Sequence, residues 1–480
     1  MRGCPLFLRA FRFGTLLGTA IAVAGCAGFS PDAGMSAVNA VVAPVLREDA
    51  VKLGTDADTA AALTRTQQLL KAPLSAETAV RIALLNNKGL QAAYNELGIA
   101  EAVMVQASQP PSPTLSLSRI STSVELDIER RIVADILALA TLPARADIAA
   151  DRFHQAQLRA AEETLRVAIA ARRSYYRAVA AFGTVAALDE AVAAADTAAK
   201  LAKELGQTGA MNKLDQAREN AFHADLVIRL ASARSNAATA REQLIRALGL
   251  ADAERNVKLP RALPALPRKL RAPAAVETEA LRRRVDLQIA RIELDALAKT
   301  YGLTNATRFI NLVEVAGISR TQRESSGASG SGGGAEVELQ IPIFDFGEAR
   351  LRQAGETYMQ AVNRLAEKAV NVRSQAREAY QRYRFSHDIA SQYRARVLPL
   401  RKLIADETTL RYGAMQIDVF SLLTEAQQRI SANIAAIEAE RNFWLASTNL
   451  DAAIVGGEAA EDDGTFRPVA ERTGATSHEP

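Results

Sequence analysis

Residues 335–347, AEVELQIPIFDFG, restrict the possible folds more than any other stretch of the chain. Val337, Leu339, Ile341 and Ile343 alternate with Glu336, Glu338, Gln340 and Pro342, the two-residue period of a strand with one apolar and one polar face. A Ser/Gly-rich run, residues 325–334, precedes it and predicts an outward-facing loop. Past Gly347 the period becomes helical. Tyr358, Val362, Leu365, Ala369, Val372, Ala376, Ala379 and Tyr383 follow at alternating steps of four and three, a sustained heptad seam. A globular enzyme core rarely needs a two-faced strand spliced into so long a helix. A wall built partly as sheet and partly as helical tube does.

The same order of elements occurs earlier in the chain. Pro73 and Ser75 open a helix predicted to run to about residue 106, with Ser75 as N-cap and Glu77 in its first turn. Pro110, Pro111 and Pro113 end it. A hairpin follows, in which Leu126, Ile128, Ile132, Ala134, Ile136 and Ala138 share one face. Glu125, Asp127, Glu129, Arg131 and Asp135 share the other, and Arg130 interrupts the apolar side. A helix of about 60 residues comes next, roughly 90 Å long at 1.5 Å per residue. Gly206 and Gly209 end it, and a return helix closes at Gly249. Glu277-Thr278 then echoes Glu77-Thr78, and Gly413-Ala414-Met415 echoes Gly209-Ala210-Met211. The offset of about 200 residues predicts an internal duplication. Pro399, inside the second long helix, predicts a kink.

At the start, Arg2, Arg9 and Arg12 precede an apolar run, residues 13–24, that is too short for a comfortable spanning helix and reads as a signal peptide. Val23-Ala24-Gly25-Cys26 resembles a bacterial lipobox, which makes Cys26 the lipidated mature N-terminus; the alternative is an ordinary secretory signal cleaved nearby. Ala27 follows, without the aspartate that signals inner-membrane retention in many lipoproteins. The cysteines, Cys4 and Cys26, both lie in this segment and form no disulfide framework elsewhere.

With these residues in place, residues 75–455 resemble the TolC-like outer-membrane efflux proteins, and the lipobox matches the lipoprotein branch of that family. The resemblance rests on the helix opened by Ser75, residues 341–347 (IPIFDFG), residues 397–400 (VLPL), residues 412–415 (YGAM) and the closing stretch from Trp444 to Gly457. It implies a mainly α fold with a membrane β-barrel portion, in which three copies share a β-barrel above an α-helical barrel. The need to oligomerise also follows from the strands alone, since four cannot close a membrane barrel and the smallest have eight. The resulting division is a signal peptide (1–25), a lipid-anchored lead-in without sustained period (26–74), two repeats and a flexible tail (456–480). The first repeat (75–260) has its hairpin at about 114–139 and long helices at about 142–205 and 214–248. The second (261–455) has a hairpin at about 308–346 and helices at about 348–411 and 418–455.

The resemblance further implies a homotrimer in outer-membrane lipid, served by a periplasmic adaptor and an inner-membrane pump. It places the tips of the helical hairpins, around Gly209 to Asp215 and Gly413 to Asp418, at the adaptor and the pore constriction. Asp418 is then either one carboxylate of a three-membered ring or a helix cap. Glu125, Asp127, Glu129, Glu336 and Glu338 are expected on the barrel lumen, or alternatively at a solvated rim paired with Arg130 or Arg320. Substrates are small molecules or metal ions; residues 412–423 loosely resemble branches associated with heavy-metal export. A protein-secretion conduit and a coiled-coil adaptor lipoprotein are the competing readings.

The net charge is only +4, with basic and acidic residues interleaved, which implies no nucleic-acid partner. His154, His223, His387 and His478 lack metal-ligand spacing. No nucleophile elbow, phosphate loop or zinc-protease motif is present, and Gly332-Gly333-Gly334 lacks the lysine a phosphate loop would need. Neither an enzyme nor a cofactor is expected.

Overall fold

The structure, a computed structural model, describes residues 28–209, 211–250 and 257–456. The signal peptide, Cys26 and residues 457–480 of the tail lie outside that set. The described part of the lead-in forms two helices where no period was expected, α1 (Met35–Leu46) and α2 (Asp56–Leu69). Met35, Val38, Val42 and Leu46 are buried on one side of α1, at helical spacing, and α1 packs on the long helix of the first repeat. Thr55 opens α2 through a capping box with Asp58.

Each repeat begins with a broken helix rather than a continuous one. In the first, α3 (Ala76–Asn86) and α4 (Lys88–Ala107) meet at Asn87. Its backbone is extended and its side chain caps α4 by accepting from the Leu90 N–H at 3.1 Å. In the second, α8 (Val276–Arg283) and α9 (Val285–Ala306) meet at the extended residue Arg284. The strands follow: β1 (Thr114–Ser121) and β2 (Glu125–Asp135), then β3 (Leu312–Glu324) and β4 (Ser329–Gln340). The Ala-rich helix α6 (Leu142–Gln207) follows the short α5 (Ile136–Ala140) and is 66 residues long, about 99 Å. It returns as α7 (Lys213–Leu248). The second repeat has α10 (Glu348–Gln392), a π-helical turn at Tyr393–Val397, α11 (Leu398–Gly413) and α12 (Val419–Val455). The wide turn sits just before Pro399, where the missing N–H interrupts the regular ladder.

Several strand limits differ from the sequence expectations. β2 stops at Asp135, whose side chain accepts from the Ala138 N–H at 2.8 Å and so starts α5; Ile136 and Ala138 are helical. β3 begins at Leu312 rather than near residue 308. β4 ends at Gln340, because Pro342 cannot donate to a ladder. The glycine-rich run is mostly not a loop. Ser329 to Gly334 belong to β4, held in register by β3 through pairs such as Ile318 with Gly334 and Arg323 with Ser329. The turn is confined to residues 325–328.

The two long hairpins pack side by side. α6 touches α7, α9, α12, α3, α4 and α1, while α12 also packs on α10 and α11. Val372, Ala376 and Tyr383 of the predicted heptad seam are buried, with Leu365, Ala369 and Ala379 packed beside them. At the level of the repeat junctions the core is aromatic. Phe443, fully buried, lies 5.4 Å from the Tyr383 ring, 5.4 Å from His387 and 5.2 Å from Trp444, which stacks on Tyr176. The polar ends of this cluster hold the connector between repeats. Trp444 donates to the Pro264 carbonyl at 3.1 Å, Tyr380 donates to that of Arg271 at 3.1 Å, and His387 Nε2 lies 3.1 Å from that of Pro267.

Candidate functional site

The sheet runs β1-β2-β3-β4, antiparallel throughout, so β1 and β4 are its two open edges. All four strands join helices at one end, and the turns at residues 122–124 and 325–328 lie at the other. Cross-strand partners share a face, so the register assigns every side chain to one side. Glu125, Asp127, Glu129, Glu336 and Glu338 all fall on the same face, together with Asp135, Glu314 and Glu324. Sequence reading missed Glu314 and Glu324, although the two-residue period through β3 carries them.

Two arginines share that face. Arg320 donates to Asp127, with its Nε at 2.8 Å, and Arg131 Nη2 lies 3.1 Å from Glu336. The pairing partners are thus Arg320 and Arg131; Arg130 lies on the opposite face, where it interrupts the apolar row. Ser116, Ser118, Ile120, Val133, Ala316 and Ile318 also lie on the acidic side; Ala316 is 2% exposed, and Ile120 is an exposed aliphatic residue there. On the other side Leu115, Leu117, Ile132, Val315, Val337 and Leu339 are all exposed. A soluble sheet would cover them.

The helical tips are built by different residues in the two repeats. In the first, Gly209 takes the left-handed conformation (φ 75°) and Asn212 caps α7, accepting from the Asp215 N–H at 2.9 Å. Asp215 itself accepts from Asn212 Nδ2 and Arg218. In the second, Gly413 is the last residue of α11, and the left-handed position is Met415 (φ 59°). Asp418 is the N-cap of α12, with Oδ1 accepting from the Ser421 N–H at 2.9 Å and its hydroxyl at 2.6 Å. The hydrogen bonds from the Ser421 side chain and backbone hold the Asp418 carboxyl below the usual carboxylate range. Asp215 and Asp418 are therefore not equivalent, and Gly413 is no counterpart of Gly209 despite the Gly-Ala-Met echo. The guanidinium of Arg218 lies 5.1 Å from the Phe420 ring, joining the two tips. Beside the second tip, Leu403, Ile404, Arg411, Phe420 and Thr424 line an open groove between α11 and α12.

No known family profile and no curated protein matches the chain. Solved structures do. CusC, whose crystal structures concern folding and transmembrane channel formation, superposes with a TM-score of 0.68 at 16% identity, covering 80% of this chain and 92% of CusC. The Campylobacter jejuni outer membrane channel CmeC gives 0.66 at 17% identity, covering 81% and 87%. The Vibrio cholerae outer membrane protein VceC gives 0.65 at 14% identity, covering 82% and 97%. Broken helix, hairpin, long helix, tip and return helix, repeated once, give this chain the fold of the TolC-like outer-membrane channels.

Proposed function

We propose that the chain is one subunit of a trimeric channel through a bacterial outer membrane. In this reading it passes small molecules or metal ions delivered by a periplasmic adaptor and an inner-membrane pump. The observation that carries the proposal is the open four-stranded sheet, with carboxylates on one face and exposed aliphatic side chains on the other. Unpaired strand edges cannot face hydrocarbon, so β4 of one copy must pair with β1 of the next. Because β4 and β1 run in opposite directions, that pairing is antiparallel and the ring closes with an even number of strands. A charge facing hydrocarbon costs about 2–4 kcal/mol at the bilayer midplane for a basic residue, and less for an acidic one. One face carries eight carboxylates and two arginines and the other three arginines, so the aliphatic face meets lipid and the acidic face lines the lumen. The helical hairpins then continue the tube for about 100 Å, and their tips, with the groove beside Phe420, meet the adaptor. Cys26 is the proposed lipid attachment site, tested by whether Cys26→Ser abolishes labelling by a fatty-acid precursor.

The lumen makes the reading measurable. Eight carboxylates per copy against two arginines give an acidic wall, repeated by each subunit. Counter-cations concentrate along such a wall, within a Debye length of about 8 Å at physiological salt. Reversal potentials of the purified protein in planar bilayers under a salt gradient are expected to show cation preference. Glu336→Gln with Glu338→Gln should diminish it. Anion preference, or absence of conductance in correctly assembled protein, contradicts the channel assignment.

A further inference from the structure

The arginines of the sheet are divided between its faces. Arg131 and Arg320 lie among the carboxylates and are paired with them. Arg119, Arg130 and Arg323 lie on the aliphatic face. The register places Arg119 opposite Ile128, Arg130 opposite Leu117, and Arg323 opposite Leu126. All three side chains are exposed, and no acidic residue of the four strands shares their face. Arg130 has a long contact to the Thr321 hydroxyl at 3.5 Å; among the described residues no carboxylate pairs with any of the three.

Their height on the sheet is as informative as their face. From the helix-joined end, the aliphatic face carries Leu339 opposite Val313, then Val337 opposite Val315, then Leu115 with Ile132. Phe309, Phe344 and Phe346, all exposed, mark the boundary on the helix side. The arginines occupy the next three levels toward the turns. Exposed phenylalanines thus lie at the helix-joined end, and an aliphatic belt follows. The half of the face toward the turns carries one arginine per level, from Arg130 at the middle of β2 to Arg323 beside the turn, among Leu117, Ile128 and Leu126. A cation on a lipid-facing strand costs several-fold less near the interface than at mid-bilayer. That favours Arg323 and Arg119 nearer the turns, while Arg130, at the middle of β2, must reach toward them along the sheet. Strand spacing of about 4.8 Å and a two-residue rise of about 6.7 Å separate the three Cα atoms by roughly 8 to 14 Å. Flexible arginine side chains close that distance readily. On the same levels β4 carries Ser329, Ser331 and Gly333, so the β4 edge of this part of the face has little side-chain bulk, while Leu117, Ile128 and Leu126 stand opposite the arginines.

From this placement we infer that Arg119, Arg130 and Arg323 form a collar on the outer surface of the sheet that binds the phosphate groups of outer-leaflet glycolipid. Guanidinium matches phosphate with two parallel hydrogen bonds, and the belt beside the collar receives the acyl chains of the same molecule. The inference rests on the proposed orientation of the sheet, aliphatic face to lipid and turns outward. It adds a ligand that the channel reading does not require.

The test uses the full-length assembly in detergent and native mass spectrometry with lipid A bearing both phosphates, against the same lipid after enzymatic dephosphorylation. The wild type is expected to retain the phosphorylated form at least tenfold better. Arg119→Gln, Arg130→Gln and Arg323→Gln together should erase that preference, and lysine at the three positions should restore most of it. Millimolar inorganic phosphate should not displace the lipid. Equal retention of the two lipids by the wild type overturns the collar, as does a triple glutamine variant with preference intact, or displacement by free phosphate. Conductance of the same wild-type preparation separates the two ideas. A conducting protein indifferent to lipid phosphate refutes the collar alone, whereas an assembled protein that does not conduct removes the orientation on which both depend.

Discussion

Glu219 and Glu425 occupy the same place in the two repeats, seven residues after the N-caps Asn212 and Asp418. Both are buried in the seams of their helical hairpins. Arg401 lies 3.2 Å from Glu425, but Glu219 Oε2 meets no hydrogen-bond partner among the described residues. Burial raises the Glu219 pKa above 4.5. A carboxyl with a raised folded-state value binds more protons folded than unfolded. Its penalty is therefore absent below the unfolded pKa and sets in as pH rises through the folded one. Glu219→Gln should raise the thermal midpoint at pH 7.5, with the gain shrinking toward pH 4.5; an equal shift at both pH values contradicts the assignment. Asp418 has the opposite sign. Its lowered pKa contributes stability above the unfolded value that is lost as pH falls through the folded one. Asparagine caps as well as aspartate, so Asp418→Asn should leave folding intact and Asp418→Ala should speed hydrogen exchange at Ser421. If the carboxylate also contributes to a constriction, Asp418→Asn changes single-channel conductance or divalent block while assembly is unaltered. Unchanged conductance leaves Asp418 as a cap alone. The sequence offered the cap as one of two roles for Asp418, since an aspartate after a turn fits both, whereas the burial of Glu219 was not visible because it depends on α6 lying against it.

The junctions between elements are where sequence reading and structure diverge most. Alternation in Val337 and Leu339 identified β4, but its glycine half has no side chains from which to read a period. Pairing with β3 decides it. In α1, Met35, Val38, Val42 and Leu46 did carry a helical period, one too short to stand out among small residues. The breaks at Asn87 and Arg284 interrupt otherwise continuous apolar patterns, and local backbone geometry places them. The strand-to-helix splice, by contrast, was legible, and its structural reason is steric. Gly347, at φ 74°, precedes α10, and a Cβ there would stand 2.2 Å from the Arg308 carbonyl oxygen. Gly347→Ala combines a left-handed backbone with a backbone collision, so the loss should exceed about 1 kcal/mol. Fewer heat-resistant oligomers in semi-native gels would report it. Wild-type oligomer yield from Gly347→Ala would mean that the splice is not rigid.

At the scale of the whole molecule, order of elements was readable because the duplication states it twice, whereas closure is a property of several chains. A single copy leaves β1 and β4 at opposite edges of the sheet, three strand spacings or about 14 Å apart. The Cα atoms of a disulfide lie within about 7 Å of each other, so a β1–β4 disulfide within one chain is geometrically excluded. Single cysteines scanned along Leu115, Leu117 and Arg119, each paired with one at Gly333, Ala335 or Val337, in a background without Cys4 and with Cys26 retained for lipidation, test the central claim directly. At the matching register, oxidation should convert the protein to a covalent trimer on non-reducing gels, with no product larger than three chains, and reduction should reverse it. Monomers alone at every pairing, or an open ladder of ever larger species, would contradict a closed three-copy barrel.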